Sequence, residues 1–120
     1  MDQDLQRWSP RFSHAADCEI EQLEPGIRRQ VLGYGPDLML CRVWFDQGAV
    51  GQVHSHAHSQ SSYVESGRFR VTIDGEEREL ATGDAFYVAP DLDHGAVCLE
   101  TGVLLDAFSP ARADFLTGER

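Results

Sequence analysis

One hundred and twenty residues suffice for one compact domain with one core, and no apolar run approaches the roughly 20 residues needed to span a bilayer. A net charge of -10 argues against nucleic acid or an anionic membrane surface as the principal partner. All ten basic residues are arginine, which excludes any mechanism built on a Schiff-base lysine.

The start, Met1 to Arg7, is acidic and polar, unlike a signal peptide with its basic start and apolar middle, so a cytoplasmic protein is expected. Residues 1–19 show no convincing pattern and are expected to form a loosely ordered arm or an edge segment before a domain spanning 20–116. From there, short apolar or alternating stretches are cut by turn residues. Strands are expected over Ile27 to Leu32, Leu38 to Phe45, Val50 to Ser55 and Ser61 to Glu65. Further strands follow over Arg68 to Ile73, Glu77 to Ala81, Ala85 to Val88, Ala96 to Leu99 and Val103 to Phe108. Asp74-Gly75 supplies the positive φ angles of a tight primed hairpin turn. Gly35-Pro36-Asp37, Gly48, Gly67, Thr82-Gly83-Asp84 and Pro90-Asp91 mark the other turns. Only Ala111 to Leu116, after Pro110, has the makings of a short helix before the tail to 120. Many short strands at even spacing predict an all-β sandwich or barrel. Cys18, Cys41 and Cys98 lack CxxC spacing and leave an odd thiol over, so buried free thiols are expected.

The chemistry concentrates in the run from Gly48 to Gly67. His54 and His56, at i and i+2 of an extended segment, face the same side of a strand, so two imidazoles can reach one metal ion without distorting the backbone. Gln60 offers a neutral oxygen after a short turn, and His94 can close the set from a distant strand. Imidazole with an oxygen donor suits a divalent transition ion such as nickel, zinc, iron or manganese rather than calcium or magnesium. His58 continues the row of alternating histidines, but the chain turns there, which suggests a place on the rim. His14 lies in the polar arm and is expected to be solvated.

The spacing of Gly48, His54, His56, Gln60 and Gly67 resembles the first motif of the cupin family, with Gln60 where the family usually has glutamate. Gly83, Ala89, Asp91 and His94 fall where the second motif has Gly, Pro, Gly and His, and Cys98 takes the place of its usual Asn. Asp91 can replace a turn glycine because Asp adopts the left-handed conformation at modest cost. The resemblance implies a single-domain, double-stranded β-helix (jelly-roll) barrel with a metal ion in its mouth. It extends further. Glu24 to Arg28, Asp37 to Leu40, the His54 to Gln60 run, His94-Gly95 and Leu105 to Arg112 are similar to the KdgF-type small cupins of pectin and alginate breakdown. Those enzymes open the ring of 4,5-unsaturated monouronates to linear ketouronates. The resemblance implies a metal held by His54, His56, Gln60 and His94, and an active site lined by Asp106, Phe108 and Arg112.

An unsaturated uronate is a cyclic enol ether carrying a carboxylate. Opening it requires a Lewis-acidic centre at the oxygens and a group that delivers a proton to carbon. Asp106 is the one carboxylate in the apolar stretch Gly102 to Phe108 and is the candidate proton carrier; its bland alternative is a structural hydrogen bond. Arg112 can form a two-pronged bond to the substrate carboxylate, or be a surface charge. Gln60 in place of glutamate makes the site one charge more positive, which favours a small anionic sugar. Two other functions fit a small cupin: a polyketide-cyclase-type enzyme, and a non-catalytic sugar-binding or sensor domain. A homodimer is expected, because pairing covers open sheet edges and Leu5, Trp8 and Phe12 make the arm apolar enough to pack across an interface.

Overall fold

Two long strands organise the computed structural model, which describes residues 7–117. They are β5 (Ser59–Ile73) and β8 (His94–Ser109), paired antiparallel along most of their length. Around them lie β1 (Ile20–Glu24), β2 (Ile27–Gly35), β3 (Leu38–Phe45), β4 (Val50–His54), β6 (Glu76–Ala81) and β7 (Ala85–Val88). A 3-10 turn (Ala15–Asp17) precedes β1, and a helix α1 (Ala113–Thr117) follows β8. The sheet runs β1-β2-β3-β8-β5-β6, with β4 also on β8 and β7 also on β5. Every pairing is antiparallel. This is an all-β barrel, the architecture that the resemblance implies. No helix among the described residues is long and apolar enough to cross a membrane.

The sequence reading divides each long strand in two, at Gly67 and between Leu99 and Val103. The structure corrects this: both segments are continuous strands that bend. A Cβ at Gly67 would lie 2.6 Å from the Glu100 carbonyl oxygen, and one at Gly102 would lie 2.1 Å from the Ser66 carbonyl oxygen. Gly67 also has φ +89. The two backbones therefore touch where they turn the corner, and the β5–β8 register shifts there. Gly67 marks a close approach, not a loop. The strand β1 is also missing from the sequence reading; its five residues alternate between exposed and half-buried, a weak signal typical of an edge.

Elsewhere local chemistry and structure agree. Asp74 (φ 49) and Gly75 (φ 80) form the tight β5–β6 turn, and Asp91 takes φ 68 as its second-motif position requires. From Ser9 to Cys18 the arm is hydrogen-bonded to β2. Ser9 donates its N–H to the Tyr34 carbonyl and accepts the Tyr34 N–H on its hydroxyl. The buried Gln30 amide donates to the carbonyls of Ala15 and Cys18. Leu5 lies outside the described residues. Cys41 and Cys98 are buried free thiols, whereas Cys18 is half-buried and reaches the His14 carbonyl.

Side chains that point inward stack in rows set by strand register. One row is Arg29, Val43, Leu104 and Val64; the next is Val31, Cys41, Asp106, Ser62 and Phe86; the third is Met39, Phe108, Gln60 and Val88. The apolar core fills the end around Ile27, Phe45, Phe69 and Val71, with Phe45 and Phe69 edge to face at 5.2 Å. Apart from Arg29, polar groups enter the rows toward the other end, where a smaller apolar cluster of Met39, Cys41 and Phe108 lies beside them. The rows thus grade from a sealed core to a polar mouth, and that gradient positions the site.

Candidate metal centre

His54 closes β4 and His94 opens β8, and the two are direct partners across that pairing. His56 follows two residues after His54 on the connection to β5. One ring nitrogen from each of the three lies within 4.8 Å of the others, so the three can hold one metal ion. Each ring is oriented by its own backbone. His54 Nδ1–H donates to the Gln52 carbonyl (2.9 Å), His94 Nδ1–H to that of Leu92 (3.0 Å), and His56 Nδ1–H to that of His58 (3.0 Å). A carbonyl can only accept, so each Nδ1 carries a proton, which leaves Nε2 as the atom each ring can offer to a metal in the shared space. His58 contributes this carbonyl; its own ring lies 5.6 Å from that of His56 and outside the cluster of three.

Two observations fit a cation here. His94 Nε2 is buried without a hydrogen-bond partner, which is costly unless something positive meets the lone pair. His56 Nε2 and Gln60 Oε1 face each other at 2.9 Å; with the ring neutral both are acceptors, an arrangement that suits two ligands of one cation beside them. Burial foremost, together with His54, His56 and Arg112, holds the His94 pKa below the ordinary histidine value, favouring the neutral ligand form. Gln60 is itself buried, on the inward face of β5.

The remaining predicted residues line the same cavity, which has a volume of about 360 Å³. Phe108 sits beside Gln60 in register, with its ring edge to face against His56 at 5.9 Å and Phe115 at 5.5 Å. Arg112, just before α1, lies over the ring of Phe115 (4.3 Å) and forks to Asp114 through Nε (3.1 Å) and Nη2 (2.9 Å). Burial raises the Asp106 pKa to about 6, against the opposing pull of its Ser62 hydrogen bond and of Arg112, Arg29 and His54. A carboxyl group so placed exchanges protons near neutral pH.

Three residues at the site are not marked by the sequence: Ser62 behind Asp106, and Arg29 and Phe115 in the cavity wall. Ser62 donates its hydroxyl to Asp106 Oδ1 at 2.6 Å; its place two residues after Gln60 on the same strand face is the signal that would have found it. Arg29 reaches the cavity wall from β2, paired with Glu21 at 3.1 Å and stacked over Phe115 at 3.5 Å. Phe115 joins from α1. Nothing in the sequence near Arg29 distinguishes it from its exposed neighbour Arg28 except strand alternation.

The family model described as Cupin domain matches residues 42–108. The chain is 49% identical over 98 residues to the pectin degradation protein KdgF of Dickeya dadantii (strain 3937), covering 80% of this chain and 89% of that one. Among solved structures, an RmlC-like cupin from Shewanella frigidimarina NCIMB 400 is 50% identical, with a TM-score of 0.88 over 91% of this chain and 98% of its own. KdgF from Halomonas sp. is 42% identical, with a TM-score of 0.84 over 89% of this chain and 99% of its own.

Proposed function

The chain belongs to the cupin family and, within it, to the KdgF-like proteins, and from that premise we propose that it is a metal-dependent enzyme opening the ring of 4,5-unsaturated monouronates to linear ketouronates. The observation that carries this reading is a proton-exchanging carboxyl, Asp106, in one cavity with Arg112, His54 and His94, the two histidines converging with His56 on one point. His54, His56, His94 and Gln60 would hold the ion, one divalent transition metal. Bound there, it supplies Lewis acidity to substrate oxygens.

The protein's own residues account for the rest. Arg112 binds the substrate carboxylate, and Phe108 and Phe115 fix the plane of that guanidinium by stacking. Asp106 as carboxylate takes the proton of the hemiacetal hydroxyl. The C1–O5 bond breaks, C1 becomes an aldehyde, and the electron pair passes through O5 to the C4=C5 enol. Asp106, now a carboxylic acid, returns the proton to C4, and C5 becomes the ketone. Atoms and charge balance, and one carboxyl serves both transfers. The apolar cavity wall, with Leu23, Ile27 and Phe86, keeps bulk water from competing for that proton.

The test follows the ultraviolet absorbance of a 4,5-unsaturated galacturonate or its epimers, with and without chelator. Chelator-sensitive loss of absorbance is expected; loaded protein that opens none of these sugars faster than buffer would sink the proposal. The same reading includes a cytoplasmic homodimer. Support for the dimer comes from Leu40, Ala107, Ser61 and Tyr87, which form one row across the outer face of β3, β8, β5 and β7, with Leu40 and Tyr87 exposed. The half-exposed Trp8 and the exposed Phe12 of the arm add to it. Light scattering should give twice the chain mass.

A further inference from the structure

Gln60, Ser62 and Asp106 form a continuous line from the histidine cluster into the barrel. Gln60 Oε1 faces His56 Nε2 at 2.9 Å, Gln60 Nε2 donates to Ser62 Oγ at 3.0 Å, and Ser62 Oγ donates to Asp106 Oδ1 at 2.6 Å. The line exists because Gln60 and Ser62 share the inward face of β5, and Ser62 is the direct partner of Asp106 across the β5–β8 pairing. Ser62 is 1% exposed, so water does not compete for its hydroxyl.

We infer that the amide of Gln60 sets the donor direction of this line, and that Ser62 is a positioning residue through which the metal-side glutamine holds Asp106 in place. The count of donors and acceptors along the line fixes this direction. With Oε1 turned to the cluster, the amide nitrogen must face Ser62. The serine hydroxyl has a single proton, and a group that receives the Gln60 N–H is free to give that proton only to Asp106. The 2.6 Å separation is the length expected of a hydroxyl donating to a carboxylate. A glutamate at position 60 would have acceptors only. It would compete with Asp106 for the one serine proton and turn the line around. The departure from the usual cupin glutamate is thereby explained: the position calls for a side chain that accepts at one end and donates at the other. The other groups facing Asp106 are Arg112, Arg29, His54 and, across β3, Cys41. None of these occupies the place of Ser62.

This inference rests on the proposed role of Asp106, but its test does not depend on the substrate. Zinc-loaded full-length protein carrying 13C-labelled aspartate is titrated by NMR, with the Asp106 carboxyl signal identified by its absence in Asp106→Asn. Ser62→Ala should raise the Asp106 midpoint by about one pH unit while zinc content is unchanged. Gln60→Glu should keep zinc and raise the midpoint as well, and adding Ser62→Ala to Gln60→Glu should raise it no further. The pH–rate limb of the ring-opening reaction should move with the midpoint. A Ser62→Ala midpoint equal to wild type, or an equal rise in both backgrounds, overturns the inference. Should Gln60→Glu fail to fold, Ser62→Thr decides: it restores the hydroxyl and should restore the wild-type midpoint, and failure to do so overturns the inference. Protein that titrates as described but opens no uronate leaves the line intact and removes the substrate assignment instead.

Discussion

His54 and His94 are direct cross-strand partners, with ring centroids 4.5 Å apart and each Nδ1–H tied to the carbonyl two residues before it. The backbone pairing of β4 and β8 therefore places two of the three histidines before any ion arrives, and little side-chain freedom is left to lose on binding.

His94→Ala should remove most of the metal and leave the barrel folded. Loss of a group that merely supports a ligand costs about 10–100-fold in metal affinity, so loss of this histidine should cost more. Metal analysis after dialysis, with far-ultraviolet circular dichroism as the check on folding, measures both. Retained metal would show that His94 is not a ligand.

Asp106→Asn should lower kcat by about 10²–10⁴-fold with metal still bound, because the amide keeps the shape but exchanges no proton at neutral pH. The wild-type pH–rate profile should show a limb near pH 6, where burial places the Asp106 pKa, and the variant should lack it. A variant that keeps the limb assigns it to another group.

The same shift has a stability consequence in metal-free protein, and its sign is opposite to that of a salt-bridged aspartate. The folded pKa of about 6 lies above the unfolded value of 3.8. The stabilisation of the protonated form is thus fully present below about pH 4 and is lost as pH rises through 6. Asp106→Asn should gain on wild type between pH 4 and pH 7, by at most about 3 kcal/mol. Urea unfolding at the two pH values measures the change; a gain in the opposite direction would refute burial as the dominant cause.

Arg112→Ala should act chiefly on KM, since carboxylate binding is shared by ground and transition states. Arg112→Lys should rescue poorly, because an ammonium neither forks to a carboxylate nor stacks on Phe108 and Phe115. Steady-state kinetics on both variants separates the two parameters, and a pure kcat defect would move Arg112 out of the binding role.

Gly67→Ala and Gly102→Ala should each destabilise by at least about 3 kcal/mol or prevent folding, since both place a Cβ against backbone that cannot move aside. Gly48→Ala is the contrast: its φ is +85 but nothing lies within 4 Å of the added atom, so a cost of only about 1–2 kcal/mol is expected. Denaturant midpoints should rank the three in that order.

The parts legible in sequence are those set by residues two or three apart. Alternation predicted most strands, Asp74-Gly75 predicted its turn, and the histidines at 54 and 56 announced their shared face. What the sequence alone left open depends on register between distant segments. Ser62 meets Asp106 across a separation of 44 residues, and Arg29 reaches the cavity only because β2 pairs with β3. Gly67 reads locally as a turn because glycine's freedom signals one; that it marks two backbones in contact follows from the partner strand, which local sequence does not specify. Side-chain period is encoded by neighbours along the chain, whereas cross-strand position is decided by which hydrogen-bond register buries the most apolar surface, a property of the whole barrel.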